Sequence, residues 1–272
     1  MPSRDDASKA APRRPPGARP RVLLTNDDGL WAPGIESLGK ALDPLCELWV
    51  VAPDREQSAA SHAITLARPL RLHPVGERRY AVDGTPTDCV YLAVNHLLKD
   101  DPPLAVFSGV NHGANLADDV IYSGTVAGAI EGAILGVPFC AALSLVGRGR
   151  LDFTAAADFG RAMLERLLET PPERPMLLNV NVPAEPRGRG FALTRLGRRG
   201  YGASVVEKTD PRGRPYYWIG GPEQAHADLK GSDCNAVLDD GLVSVTPLHL
   251  DLTSNDALAA LSNWSLPRHE RR

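Results

Sequence analysis

Five short apolar runs, each stopped by a polar, glycine- or proline-bearing turn, alternate along this chain with segments whose apolar residues recur at helical spacing. The runs are Val22–Leu24, Leu48–Ala52, Leu104–Phe107, Phe139–Val146 and Met176–Val182. A continuous apolar run too short for a helix reads as a strand buried on both faces. Between them, 35–42, 86–98, 123–135 and 153–168 read as helices, with Thr85 placed to cap the second and Pro86 at its first position. Strand, helix, strand in about thirty residues is the size of a right-handed βαβ unit. The pattern predicts an α/β fold, a Rossmann-like, mostly parallel sheet with helices on both faces. No internal repeat is visible.

After Pro183 the texture changes. Phe191–Leu196, Tyr216–Ile219 and Leu242–Val245 read as short strands between long Gly-, Pro- and Asp-rich links. The expected organisation is a tail over 1–20, one domain over 21–255 and a C-terminal helix or tail over 256–272. Within the domain, an α/β core covers 21–183 and a β-rich oligomerisation extension covers 184–255. The tail is rich in Arg and Pro and lacks large apolar side chains between Pro2 and Pro20, so it is expected to be mobile. It also lacks the apolar core of a secretory signal.

The formal charge of −3 argues against a basic nucleic-acid surface. Cys46, Cys89, Cys140 and Cys234 are far apart with no C-x-x-C pair, so neither a disulfide framework nor a thiolate zinc site is expected, and a reducing cytoplasm is the expected compartment. The stretch from Val120 to Gly147 carries one charge, Glu131, but four glycines and Pro138 interrupt it before a membrane span's ~20 residues are reached. No membrane partner is expected.

In open parallel sheets the ligand site lies beyond the carboxyl ends of the strands. Three polar loops fall at predicted strand ends: 26–29, 54–62 and 108–123. Asp27 and Asp28 are adjacent carboxylates at a turn, where both can aim at one point. They repel unless a cation lies between them or one takes up a proton. Turn or helix-cap chemistry accounts for Asn-Asp-Asp-Gly equally well. Oxygen ligands favour a hard cation, Mg²⁺ or Mn²⁺, with Ser58 and Asn111 as neutral donors from the other two loops. Ser123-Gly124-Thr125 opens the glycine-rich helix, where free amides and the helix dipole suit an anion. A plain capped helix is the alternative. His62 and His112 are candidate general acids, though a loop histidine beside a polar site is as readily a hydrogen-bonding partner. The chain has no G-x-x-x-x-G-K-[ST], no G-x-G-x-x-G after the first strand and no G-x-S-x-G.

These residues resemble the SurE family of survival nucleotidases. The likeness is carried by Leu24-Thr25-Asn26-Asp27-Asp28-Gly29, Val51-Ala52-Pro53-Asp54-Arg55 through Ser58, Gly84-Thr85-Pro86-Thr87-Asp88-Cys89, Ser108-Gly109-Val110-Asn111, Tyr122-Ser123-Gly124-Thr125-Val126 and Val243-Ser244-Val245-Thr246-Pro247-Leu248. The resemblance implies a phosphatase that hydrolyses nucleoside 5′- and 3′-monophosphates, with short-chain polyphosphate as a further substrate, by attack of water associated with a divalent ion. It implies one Mg²⁺ or Mn²⁺ per subunit on Asp27, Asp28, Ser58 and Asn111, with the two aspartates serving catalysis. Phosphate falls to Asn26, Asn111, Ser123, Gly124 and Thr125. It also implies a homodimer or homotetramer with exchanged C-terminal elements. Ala117 departs from the glycine usual in that loop. A phosphomonoesterase for another metabolite, or a non-catalytic nucleotide- or polyphosphate-binding protein on the same fold, remains as an alternative.

Overall fold

The first βαβ unit sets the frame. β1 (Arg21–Thr25) alternates its side chains between two apolar layers, Val22 and Leu24 into one and Leu23 into the other, so it is buried on both faces. α1 (Pro33–Leu42) starts on Pro33 and buries Ile35, Leu38 and Leu42. β2 (Glu47–Pro53) then pairs parallel to β1, as the apolar run predicts. This is a computed structural model, and it describes residues 19–262 and 264, apart from 189, 202–204 and 220–222. Most of the predicted N-terminal tail and the last residues of the chain lie outside the described residues.

β3 (Leu72–Gly76) and β4 (Arg79–Val82) come next, then α2 (Pro86–Leu92). Thr85 caps α2 as expected: its hydroxyl accepts from the Asp88 amide at 3.2 Å, and the Asp88 carboxylate accepts from the Thr85 amide at 2.9 Å. The helix expected over 86–98 changes at Ala93 into a π-helical turn through Leu97. The remaining core elements are β5 (Ala105–His112), α3 (Asp119–Tyr122), α4 (Gly124–Ile134), β6 (Phe139–Val146), α5 (Thr154–Glu169) and β7 (Met176–Pro183). The extension contributes β8 (Phe191–Leu193), β9 (Arg199–Tyr201), β10 (Val205–Thr209), β11 (Pro215–Ile219), β12 (Glu223–His226), β13 (Val243–Pro247) and α6 (Asn255–Leu261).

The main sheet has the order β3-β4-β2-β1-β5-β6-β7-β13-β8. It is parallel from β4 to β7 and antiparallel at the β3–β4 and β7–β13 pairs. One apolar layer takes in α1 and α5, and the other α2 and α4, so helices cover both faces as the sequence predicts. Chain order reverses across β1, with β2 on one side and β5 on the other. That switch point opens a crevice beyond the carboxyl ends of β1 and β5.

β3 and β4 escape a reading by apolar runs because β3 is an edge strand, mostly exposed and interrupted by Pro74. The extension does not stand apart: β13 and β8 complete the main sheet, while β10–β11 and β9–β12 form separate two-stranded ribbons. All four cysteines are free and buried. Among the described residues no helix is long and apolar enough to cross a membrane.

Asp233 fastens the extension to the core. Its fully buried carboxylate accepts from the amides of Ala117 (2.9 Å), Gly197 (2.7 Å) and Cys234 (2.8 Å). Asp233→Ala strands three buried donors and is expected to cost about 3 kcal/mol or more, read as a lowered denaturation midpoint in urea. The same anchor holds Ala117 at φ 53, the left-handed geometry for which a glycine is the easier choice.

Candidate functional site

Turn chemistry places the first acids. Asn26 donates its amide nitrogen to the Gly29 carbonyl at 2.9 Å and Gly29 takes φ +98, so the chain doubles back directly after β1. Asp27 and Asp28 thereby face a cavity of about 1100 Å³ at the carboxyl ends of β1, β2 and β5. Ser58, from the loop after β2, and Asn111 and His112, from the end of β5, line the same cavity, as does Ser123 at the head of α4. The Gln57 amide donates to the Asp27 carbonyl at 2.7 Å and ties the Ser58 loop to the turn.

The carboxylates are in an unfavourable setting. Asp27 is 5% exposed, and its pKa is pushed up to about 6, first by burial. The hydroxyl and main-chain amide of Thr125 oppose that rise, while the charge of Asp28 adds to it. Asp28, half-buried, is also raised by burial and by Glu56, against the His112 amide that donates to its Oδ2 at 3.2 Å. Among the described residues neither acid has an ion pair with Lys, Arg or His. Asn111 donates its Nδ2 to the Gly113 carbonyl at 3.0 Å, which fixes the amide and leaves Oδ1 as its free acceptor. Ser58 is exposed and donates to Glu56 Oε1 at 2.6 Å.

Two unpaired carboxylates, an amide oxygen and a hydroxyl on one hollow are a donor set suited to a hard divalent cation. Among the described residues no three of His, Cys, Asp and Glu gather to hold a metal.

Other expected residues stand elsewhere. Asn26 is fully buried and its amide nitrogen belongs to the turn. Thr125, also fully buried, gives its hydroxyl to Asp27 Oδ1. The leading turn of α4 therefore already receives an anion, the Asp27 carboxylate, which accounts for the hydrogen bonds that hold its pKa down. Gly124 makes that approach possible, since a Cβ there sits 2.8 Å from Asp27 Cβ. Ser123 spends its hydroxyl on the Val126 amide at 3.1 Å, the N-cap expected from sequence. His62 does not line the cavity; its ring meets Glu131 Oε2 of α4 at 2.8 Å. His112 does line it, with its ring edge toward Phe153 at 6.2 Å between centroids.

The reading by loops passed over a buried amide network that shapes the floor. Asn115 donates its Nδ2 to Ser144 Oγ (2.8 Å) and its main-chain amide to Asn181 Oδ1 (2.9 Å), while Asn179 and Asn181 both donate to its carbonyl. The signal was present: Asn179 and Asn181, two apart in an otherwise apolar strand, share one face of the sheet. Such polar pairs inside a core strand need partners.

Known proteins carry the same arrangement of chain. The family model described as Survival protein SurE matches residues 22–203. A 5′-nucleotidase SurE of Myxococcus xanthus is 57% identical over 253 residues, 92% of this chain and 96% of that protein. The 5′-nucleotidase SurE of Vibrio cholerae is 47% identical over 246 residues, 90% of this chain and 97% of that protein. A crystal structure of the Sure protein from Aquifex aeolicus is similar at a TM-score of 0.78 and 40% identity, covering 89% of this chain and 98% of that one. With a family model spanning most of the domain and relatives alike over nearly their full length, this chain belongs to the SurE family.

Proposed function

We propose that the chain is a phosphomonoesterase that hydrolyses nucleoside 5′- and 3′-monophosphates in the cavity around Asp27 and Asp28, with one Mg²⁺ or Mn²⁺ per subunit. The observation that carries this reading is convergence: acids after β1, a hydroxyl after β2 and an amide oxygen at the end of β5 all line one hollow. The relatives named 5′-nucleotidase support the substrate class.

Asp27, Asp28, Ser58 Oγ and Asn111 Oδ1 hold the ion. A divalent cation held by these groups would supply positive charge to offset that of a phosphate dianion. The chain supplies the rest. Ser123, at the head of α4, lines the cavity, and its hydroxyl hydrogen is left to meet the phosphate while its oxygen accepts from the Val126 amide. Asp28, the more exposed acid, orients the attacking water and takes its proton. His112, inside the cavity, gives a proton to the departing ribose oxygen; His62, held on Glu131, stays outside that role. Trp31 and Tyr122 line the rim and are 62% and 66% exposed, an apolar resting place for the base.

Phosphate release from AMP tests the reading. Activity is expected to vanish in EDTA and return with Mn²⁺ or Mg²⁺. Activity indifferent to the chelator overturns it. A non-catalytic binding protein instead takes up AMP and releases no phosphate, and a phosphatase for another metabolite turns over sugar phosphates faster than nucleotides. Thr125→Val removes the hydroxyl that steadies Asp27 and is expected to weaken metal affinity about tenfold to a hundredfold, read from the Mn²⁺ concentration that half-restores activity.

The assembly is a homodimer or homotetramer joined through C-terminal elements. The β10–β11 ribbon supports this: every residue of both strands is exposed, including Tyr217 (58%), Trp218 (62%) and Ile219 (92%). A lone two-stranded ribbon with apolar side chains in water needs a partner to cover it. Sedimentation equilibrium checks the size.

A further inference from the structure

A second cavity, of about 1200 Å³, opens beside the first at the carboxyl ends of β6 and β7. The two share Ala114, Asp119, Arg150 and Leu151, so they are continuous. Their charges differ. The first is lined by five acids against two arginines, and the second by four arginines against three acids.

The acids of the second cavity are partly engaged. Asp119 pairs with Arg199. The Asp152 carboxylate accepts from both the amide (3.0 Å) and the hydroxyl (2.6 Å) of Thr154 at the start of α5. Among the described residues Arg187 reaches only a main-chain carbonyl, that of Leu238. Arg148 and Arg150 flank Gly149, which turns at φ +77, and neither makes a hydrogen bond or ion pair among the described residues. Three guanidinium groups thus line the hollow, together with Glu185, without an ion pair among the described residues, and guanidinium is the side-chain group best suited to a phosphate.

We infer that this second cavity is a subsite for a second phosphate, so that the enzyme takes nucleoside 3′,5′-bisphosphates in preference to monophosphates. The inference rests on the proposed phosphatase site, which receives the phosphate that is cleaved. Strand order sets the reach: β1 and β6 stand two strands apart, about 10 Å. A ribose with phosphates on both the 3′ and 5′ oxygens, met by an arginine side chain, bridges that gap. The second phosphate is held and not cleaved. At the carboxylate pair, water adds to phosphorus and the bond to the ribose oxygen breaks. That oxygen leaves with a proton, and the products are inorganic phosphate and a nucleoside monophosphate. A condensed phosphate chain offers similar charge without a ribose, so tripolyphosphate separates the two sources.

The test compares kcat/KM for adenosine 3′,5′-bisphosphate, AMP and tripolyphosphate at low salt with Mn²⁺, in the natural chain, Arg148→Gln and Arg148→Lys. Calorimetric titration with the bisphosphate runs alongside. The bisphosphate is expected to exceed AMP by about tenfold or more, and Arg148→Gln to remove most of that preference, mainly through KM. Arg148→Lys is expected to keep part of it. Arg148 is exposed and unpartnered, so folding is not at stake. Equal kcat/KM for bisphosphate and AMP, or an Arg148→Gln loss equal on both, overturns the subsite and leaves the phosphatase reading standing. A preference for tripolyphosphate alone overturns the nucleoside assignment. If nothing is hydrolysed but the bisphosphate binds tighter than AMP and depends on Arg148, the subsite stands and the phosphatase reading falls.

Discussion

Asp27→Asn is expected to lower phosphate release from AMP by at least about 10³-fold, the scale of losing a charge that acts directly on the transition state. The change keeps the size of the side chain and a hydrogen-bonding partner for Thr125, so the loss reports charge. Calorimetry is expected to show Mn²⁺ binding lost together with activity. Stability should move the other way. The carboxyl's pKa stands at about 6 in the folded chain against 3.8 in the unfolded one, so its ionised form costs folding energy. That cost is absent below 3.8, grows between 3.8 and 6, and is present in full above 6. In EDTA at pH 7 the variant is therefore expected to unfold at a higher temperature than the natural chain, while added Mn²⁺ stabilises only the natural chain. Full activity in the variant, or equal stabilisation of both proteins by the ion, removes Asp27 from the site.

The second large effect is mechanical. Gly34→Ala places a Cβ 1.9 Å from the Val110 carbonyl oxygen and 3.2 Å from Phe153 Cε1. Val110 is fully buried strand backbone in β5, at the irregular step between the paired Ser108 and Asn111, and cannot turn aside as a flexible side chain can. Either α1 lifts from the sheet or β5 yields, and Asn111 follows Val110. The expected loss exceeds about 3 kcal/mol, at or beyond the top of the overpacking range, and any folded remainder should bind Mn²⁺ poorly. Lys40→Ala, on the exposed side of the same helix, is the control and should stay within about 0.5 kcal/mol. A Gly34→Ala protein as stable as this control shows that α1 and β5 are not in such close contact.

Much of the fold was legible because its signals are local. A run such as Val22–Leu24 or Phe139–Val146 declares a strand buried on both faces, and Thr85-Pro86 or Ser123-Gly124 declares a helix start, within a few residues. Edge and ribbon strands were harder, since β3 and β10 bury too little to leave an apolar signature. In the site, the same limit appears residue by residue. Thr125 reads from sequence as a donor to phosphate, but its hydroxyl lies against Asp27, ninety-eight positions earlier. His62 shares a loop with Ser58, yet it meets Glu131 on α4 while Ser58 faces the cavity.

The sequence by itself determined the layered α/β class, the capped helices and the polar turns at the strand ends, because these depend on spacing and side-chain chemistry between near neighbours. Only the tertiary structure decided which turns meet, which hydroxyl serves an acid, and that an arginine-lined hollow adjoins the acidic one. Those outcomes follow from strand order across the sheet, where residues a hundred positions apart come to lie about 5 Å from each other, strand to strand.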